Sequence, residues 1–296
     1  MKKLFFFAAA ICTVLTSCSK DENLIPAPDA QMKTPINLAI NQDTRANDSS
    51  FAANDKVGVY VVNYNDQFPG TLKASGNYVD NMQFTYNAGS WTPATPIYWL
   101  DKTTNADLYA YYPYSTSAST TAHSFTVKAD QSTEANYWAS DFLWGKATSA
   151  PTKDAVAITT NHVFSNILLY LQPGEGFTAS TFAAAEKSVK INNVKTEATI
   201  NLATGVATAT GDSNTIIPWD TQNGYYRAMV IPQTIAAGTE LITITINGVD
   251  YVLKSNATFA ANKQHKVTVT VNRTSNGVNI GIGGWETGDE YGGDAE

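Results

Sequence analysis

Cysteine is almost absent from this chain, with two in 296 residues, so a thiolate-rich zinc site is excluded. Histidine is nearly as scarce. His123 sits in a Ser/Thr-rich stretch, His162 beside a strand start and His265 before a strand. No pair has ligand spacing and no HExxH occurs, so a structural role is expected for each. There is no GxSxG elbow and no phosphate-binding P-loop. GIGG at 281–284 is not followed by a helix-forming segment, and it reads as a strand or strand end. Acidic residues are scattered and nominate no catalytic pair. The expectation is therefore a protein that is not an enzyme and that uses neither cofactor nor metal. Charge is sparse at 15%, with 19 Lys and Arg against 26 Asp and Glu and a net charge of −7. No basic stripe is present to neutralise phosphates, which excludes a nucleic-acid partner.

Long apolar runs are also missing. The longest, Leu4 to Leu15, falls short of the roughly 20 residues needed to span a bilayer. It follows Lys2 and Lys3 and ends at the small residues Thr16, Ser17 and Cys18, which is the anatomy of an export signal over 1–17. The run LTSC at 15–18 resembles a bacterial lipoprotein signal. That likeness implies cleavage before Cys18 and acylation of its sulfur by chains such as palmitate. SKDE at 19–22 resembles the acidic export signal of surface lipoproteins in Bacteroidetes-like bacteria. Cys12 would leave with the signal, so the mature chain would hold no disulfide and depend on core packing alone. Residues 18–35, with three prolines and mixed charge, read as a lipidated flexible tether.

What is abundant is β-prone. Thr, Ala, Asn, Tyr and Val are abundant. PINLAIN at 35–41 puts Ile36, Leu38 and Ile40 on one strand face, and the polar, turn-like QDTRANDSS follows. Val57, Val59 and Val61 alternate, as do Ile242, Ile244 and Ile246, and Val267, Val269 and Val271. Asn247-Gly248 between ITITI and VDYVL marks a hairpin. FTASTFAAAEKS at 177–188 is the one candidate helix. Few helices and many alternating strands predict an all-β protein of β-sandwiches. A composition break at 147–155 divides it into 36–150 and 151–285, with an acidic, glycine-rich, flexible tail at 286–296. The six tryptophans and fifteen tyrosines fit two uses, filling sandwich cores or stacking on sugar rings. WTPATPIYW and YAYYPY read mostly as core. Arg45, the only arginine before Arg227, is either a solvated loop residue or a protease target.

The ordered series FAANDKVGVY, PIYW, ADLYAYYPY, SDFLWGKA, HVFSNILLYL, YYRAMVIPQT and NIGIGGW resembles the fimbrillin-like, Mfa-type lipoproteins of Bacteroides-type bacteria. The resemblance spans nearly the whole mature chain. It implies two tandem transthyretin-like β-sandwich domains in a pilus subunit exported to the outer membrane. It also implies that an arginine-specific protease cuts between Arg45 and Ala46, so that the strand carrying Ile36, Leu38 and Ile40 departs. A neighbouring subunit's strand then refills the exposed edge. Val278, Ile280 and Ile282, alternating with Asn and Gly, form the candidate donor. The implied partners are other fimbrial subunits, the protease, the outer-membrane lipid through acylated Cys18, and a host or bacterial surface glycan or protein bound in adhesion. The competing expectation is a surface lipoprotein that binds glycans and never polymerises.

Overall fold

A computed structural model describes residues 33–42, 51–222 and 224–274, and the backbone of strands at 277–282 and 286–290. Cys18, Arg45 and Ala46 lie outside the described residues. The alternating segments become strands: β1 (Leu38–Gln42), β2 (Lys56–Asn63), β3 (Val79–Asn87), β4 (Ser90–Pro93), β5 (Ala106–Tyr112), β6 (His123–Thr126), β7 (Leu143–Ser149), β8 (Val156–His162) and β9 (Ser165–Pro173). They continue as β10 (Lys187–Asn201), β11 (Val206–Ile216), β12 (Trp219–Asp220), β13 (Tyr225–Val230), β14 (Gln233–Ile246), β15 (Val249–Phe259), β16 (Lys263–Thr274), β17 (Gly277–Ile282) and β18 (Glu286–Glu290). Two short helices interrupt them, α1 (Glu134–Trp138) and α2 (Ala179–Ala184). The second lies within the one segment expected to be helical, and a capping box between Thr178 and Thr181 starts it. Thr133 caps the first, which the sequence pattern did not reveal. No described helix is long and apolar enough to cross a membrane.

The protein is mostly β, in three sheets. The first runs β1-β8-β7-β5-β2-β3-β4, the second β11-β10-β14-β15 with β6 also on β10, and the third β12-β13-β9-β16-β17 with β18 also on β16. Between named strands the pairings are antiparallel, apart from β1 with β8 and β9 with β16. The chain moves between the two halves more than once: β6 leaves to join β10, β7 returns, and β8 pairs with β7 and β1 before β9 enters the third sheet. The division at 150/151 thus falls between two paired strands, β7 and β8, of one sheet. The β14–β15 hairpin turns at Asn247-Gly248, where φ is 49° and 80°. Two positive φ values in succession suit the right-handed twist of the flanking strands.

Two apolar clusters organise the packing. Val57, Val59, Val61, Leu108 and Ala110 belong to one, together with Ile36, Leu38 and Ile40. Tyr60, Val62, Tyr109 and Tyr111, on the opposite faces of the same strands, belong to the other. That second cluster also takes Ile242 and Ile244 from the second sheet and Leu169, Val267 and Val269 from the third. The first sheet is therefore apolar on both faces, which explains why KVGVYVVN lacks a clean polar alternation.

Within the C-terminal segment, residues 286–290 form β18, which places Glu290 opposite Lys263 and Glu286 opposite Lys266 in the register. Opposite charges at facing positions favour such pairing. Thr34 and Pro35 pair with the segment around Tyr98. His123, from the Ser/Thr-rich stretch, is buried in β6.

Candidate functional site

The most unusual local arrangement surrounds β1. Its register with β8 runs from Leu38 opposite Val156 to Gln42 opposite Thr160. The Val156 N–H donates to the Asn37 carbonyl at 2.9 Å, and the Asn37 side-chain amide donates to the Lys153 carbonyl at 3.2 Å. The Thr160 hydroxyl donates to the Asn41 carbonyl at 3.0 Å. The other edge of this strand is held by a different part of the chain. The Ile36 N–H donates to the Ile97 carbonyl at 2.9 Å, the Trp99 N–H donates to the Thr34 carbonyl at 2.9 Å, and Pro35 bridges Tyr98. The Trp91 indole N–H donates to the Ile40 carbonyl at 3.0 Å. Segment 34–42 is thus held on both edges, although β1 ends the strand order of its sheet.

Beneath this frame Ile36, Leu38 and Ile40 are 2%, 5% and 3% exposed. They share a cluster with Phe84, Trp91, Ile97, Trp99, Val156 and Ile158. Phe51 meets the Trp91 ring edge-on at 4.8 Å, and Tyr86 lies 5.1 Å from the same ring. Trp99 is anchored in turn, its indole donating to the Thr152 carbonyl at 3.0 Å. If segment 34–42 were withdrawn, an apolar groove would open. The Ile97 carbonyl, the Trp91 indole N–H and one edge of β8 would lose their partners. Burying three such side chains contributes about 5–9 kcal/mol gross, and buried polar groups left unpaired cost about 1–3 kcal/mol each. The chemistry of such a groove would suit an extended backbone carrying apolar residues at every second position.

The three first-strand residues named from the sequence are brought together here. The backbone of Val278, Ile280 and Ile282 lies elsewhere, in β17 at the edge of the third sheet, paired with Arg273, Val271 and Val269 respectively. The two tryptophans that hold the strand were read from sequence only as core. The signal that could have found them is an indole N–H needing an acceptor inside an apolar cluster.

The other candidate side chains serve packing. His123 lies against Tyr111 and Phe142 at 5.6 Å, and burial lowers its pKa. His265 packs edge-on with Phe259 at 5.5 Å, and its pKa is lowered by burial and then by the charge of Lys263. His162 Nδ1 is 2.8 Å from a buried Asp141 carboxylate oxygen. No group of three metal-capable side chains occurs among the described residues. Trp91, Trp99, Tyr109 and Tyr111 are buried, so the aromatic runs chiefly fill cores. Burial and nearby charge push Tyr60 up to about 12, and burial with the neighbouring Asp55 does the same for Tyr112.

The architecture is mostly β in three sheets, with a near-N-terminal strand held on both edges by other parts of the chain. The fimbrillin-like family model matches residues 44–285, and the chain belongs to that family. A candidate fimbrium subunit, Fim1C of Bacteroides uniformis, is 29% identical over 97% of each chain. A solved structure of a candidate cell adhesion protein from Bacteroides uniformis aligns over 86% of this chain and 97% of its own, with 21% identity and a TM-score of 0.64. Another, from Bacteroides ovatus, aligns over 86% and 98%, with 18% identity and a TM-score of 0.66.

Proposed function

We propose that the protein is a fimbrial subunit that is exported as a lipoprotein precursor, assembles by protease-triggered strand addition and serves in cell adhesion. Acylated Cys18 anchors the precursor in the outer membrane. An arginine-specific protease cuts between Arg45 and Ala46, and the segment carrying Ile36, Leu38 and Ile40 leaves. The C-terminal segment of another subunit, Val278 to Ile282, enters the groove. On this reading the two halves are tandem transthyretin-like sandwiches, and the assembled protein lies on the cell surface. Strand addition of this kind is heterologous, opening one groove as it fills another, and so yields filaments rather than closed dimers.

The single observation carrying the proposal is the placement of 34–42. Three core residues belong to a segment that is only five residues from Arg45 at its nearest member, Ile40, and that is held mostly by main-chain hydrogen bonds. The donor role is supported by the edge position of β17, since β16 stays paired with β9 without it. The name of the Bacteroides uniformis relative supports the fimbrial assignment. The test is treatment of the precursor with an arginine-specific protease, followed by N-terminal sequencing and sizing. Ala46 as the new first residue together with a ladder of multimers supports it. A retained first strand or a lasting monomer refutes it.

One observation favours a second reading, a surface lipoprotein that binds glycans and does not polymerise. An open polar cleft of about 730 Å³ on the second sheet is lined by Lys190, Asn192, Asn214, Thr243 and Asp250, with the apolar Ile217 at its side. Binding on a glycan array that is lost on Asn192→Ala would support that reading, and an array without hits would oppose it.

A further inference from the structure

Residues 36–40 read Ile-Asn-Leu-Ala-Ile, and residues 278–282 read Val-Asn-Ile-Gly-Ile. Both segments run apolar, Asn, apolar, small, apolar in the same N-to-C direction. The match reaches beyond hydrophobic alternation, because the polar and small positions also correspond in order. In β1 and the residues leading into it, each of these positions has a distinct environment. Ile36, Leu38 and Ile40 are buried, Asn37 bonds the Lys153 carbonyl, and Ala39 stands opposite the exposed Ala157. The third sheet does not account for the likeness, since there the same five residues run antiparallel to β16, with Asn279 opposite Asn272 and Gly281 opposite Thr270.

Resting on the strand-addition reading above, we infer that a second copy's C-terminal segment enters in the same chain direction as β1, parallel to β8 and in the register of β1. Val278 takes the place of Ile36, Ile280 that of Leu38 and Ile282 that of Ile40. Asn279 takes over the bond to the Lys153 carbonyl, Gly281 stands opposite Ala157, and the carbonyl of residue 282 accepts from the Trp91 indole. Direction is chemically meaningful here. Parallel and antiparallel ladders place their hydrogen bonds differently, and the bonds from Val156 N–H and the Thr160 hydroxyl now end on carbonyls of a parallel strand. Reversed insertion could still fill the three apolar places. It would put Asn279 opposite Ala157 and move Gly281 to the position of Asn37, so the amide bond to Lys153 would be lost. Asn279 is thus the residue that tells one direction from the other.

The test uses the full-length precursor with paired cysteines, polymerised by arginine-specific proteolysis under mild oxidation. Gly281→Cys with Ala157→Cys is expected to give a covalent ladder that collapses to monomer on reduction. Neither single substitution gives one, which also controls for Cys18. Asn279→Cys with Ala155→Cys reads the same register two positions earlier and leaves the glycine intact, should Gly281→Cys disturb folding. Two facing strands bring Cα atoms within disulfide range. Cross-linking through Asn279→Cys with Ala157→Cys instead, or multimers that none of these pairs links, overturns the direction and register while strand addition stands. Failure of the unsubstituted chain to multimerise at all refutes the strand-addition reading and this inference with it.

Discussion

Replacing Leu38 by alanine tests the role of β1 directly. Leu38 is 5% exposed and packs in the same cluster as Trp91 and Ile158. Leu→Ala at a buried site costs about 2–5 kcal/mol. The middle of that range applies here, because the strand is pinned by hydrogen bonds on both edges and cannot easily collapse into the space left behind. At about 3 kcal/mol, and about 2–4 °C per kcal/mol for a chain of this size, the precursor should melt about 6–12 °C lower. Differential scanning calorimetry measures this, and tryptophan fluorescence reports the same transition through Trp91 and Trp99. Asn37→Ala, which loses one exposed hydrogen bond, should stay within about 0.5 kcal/mol of the original chain. A second arm makes the reasoning stricter. Once the chain is cut after Arg45 and the first segment is gone, the Leu38→Ala and original proteins are chemically identical, so their melting curves must coincide. A Leu38→Ala precursor that melts within about 2 °C of the original, below the range expected, would show that β1 lies outside the cooperative core. A difference that survives cleavage and separation would show that the strand never left.

Other outcomes follow from single contacts. Gln131 is fully buried, donates to the Lys128 and Met229 carbonyls and accepts from the Met229 N–H, so Gln131→Leu strands three backbone groups and should cost about 3–5 kcal/mol in urea unfolding. Gly248 has φ of 80° with open space where a Cβ would stand, so Gly248→Ala should destabilise through backbone strain alone, by about 1 kcal/mol, without perturbing neighbouring side chains in heteronuclear spectra. His123 and His265 both have pKa values lowered from 6.5 in the folded protein, so the unfolded chain binds more protons below that value. Stability is then complete above about pH 6.5 and falls as the pH drops toward the folded-state values. His123→Phe should flatten that slope in melting curves taken from about pH 7 to about pH 5, and an unchanged slope would refute the assignment.

Local alternation made most of the strands legible. ITITI-NG-VDYVL specified both a hairpin and its buried face, since every second residue had one destination and the turn needed two left-handed residues. Ile36, Leu38 and Ile40 were legible for the same reason. Partner choice was not. Nothing in PINLAIN says that it will lie parallel to a strand over a hundred residues away, because side-chain period sets a face and leaves the neighbour open. The run KVGVYVVN obscured its own geometry by being apolar on both sides. The pairing of β6 with β10 was hidden by the Ser/Thr-rich surroundings of His123, whose composition carries no sign of a long-range partner. Glu286 and Glu290 stand opposite lysines in a register that only the fold creates.

The Trp91 indole grips a carbonyl oxygen, an atom that every residue carries. Its hold is therefore blind to the identity of the side chain at position 40, and the cavity beneath asks only for bulk at the right phase. On the proposed strand-addition reading, a lock of this kind accepts many keys cut to one pitch, so related but non-identical chains could be interleaved in a single fibre without redesign of the receiving slot.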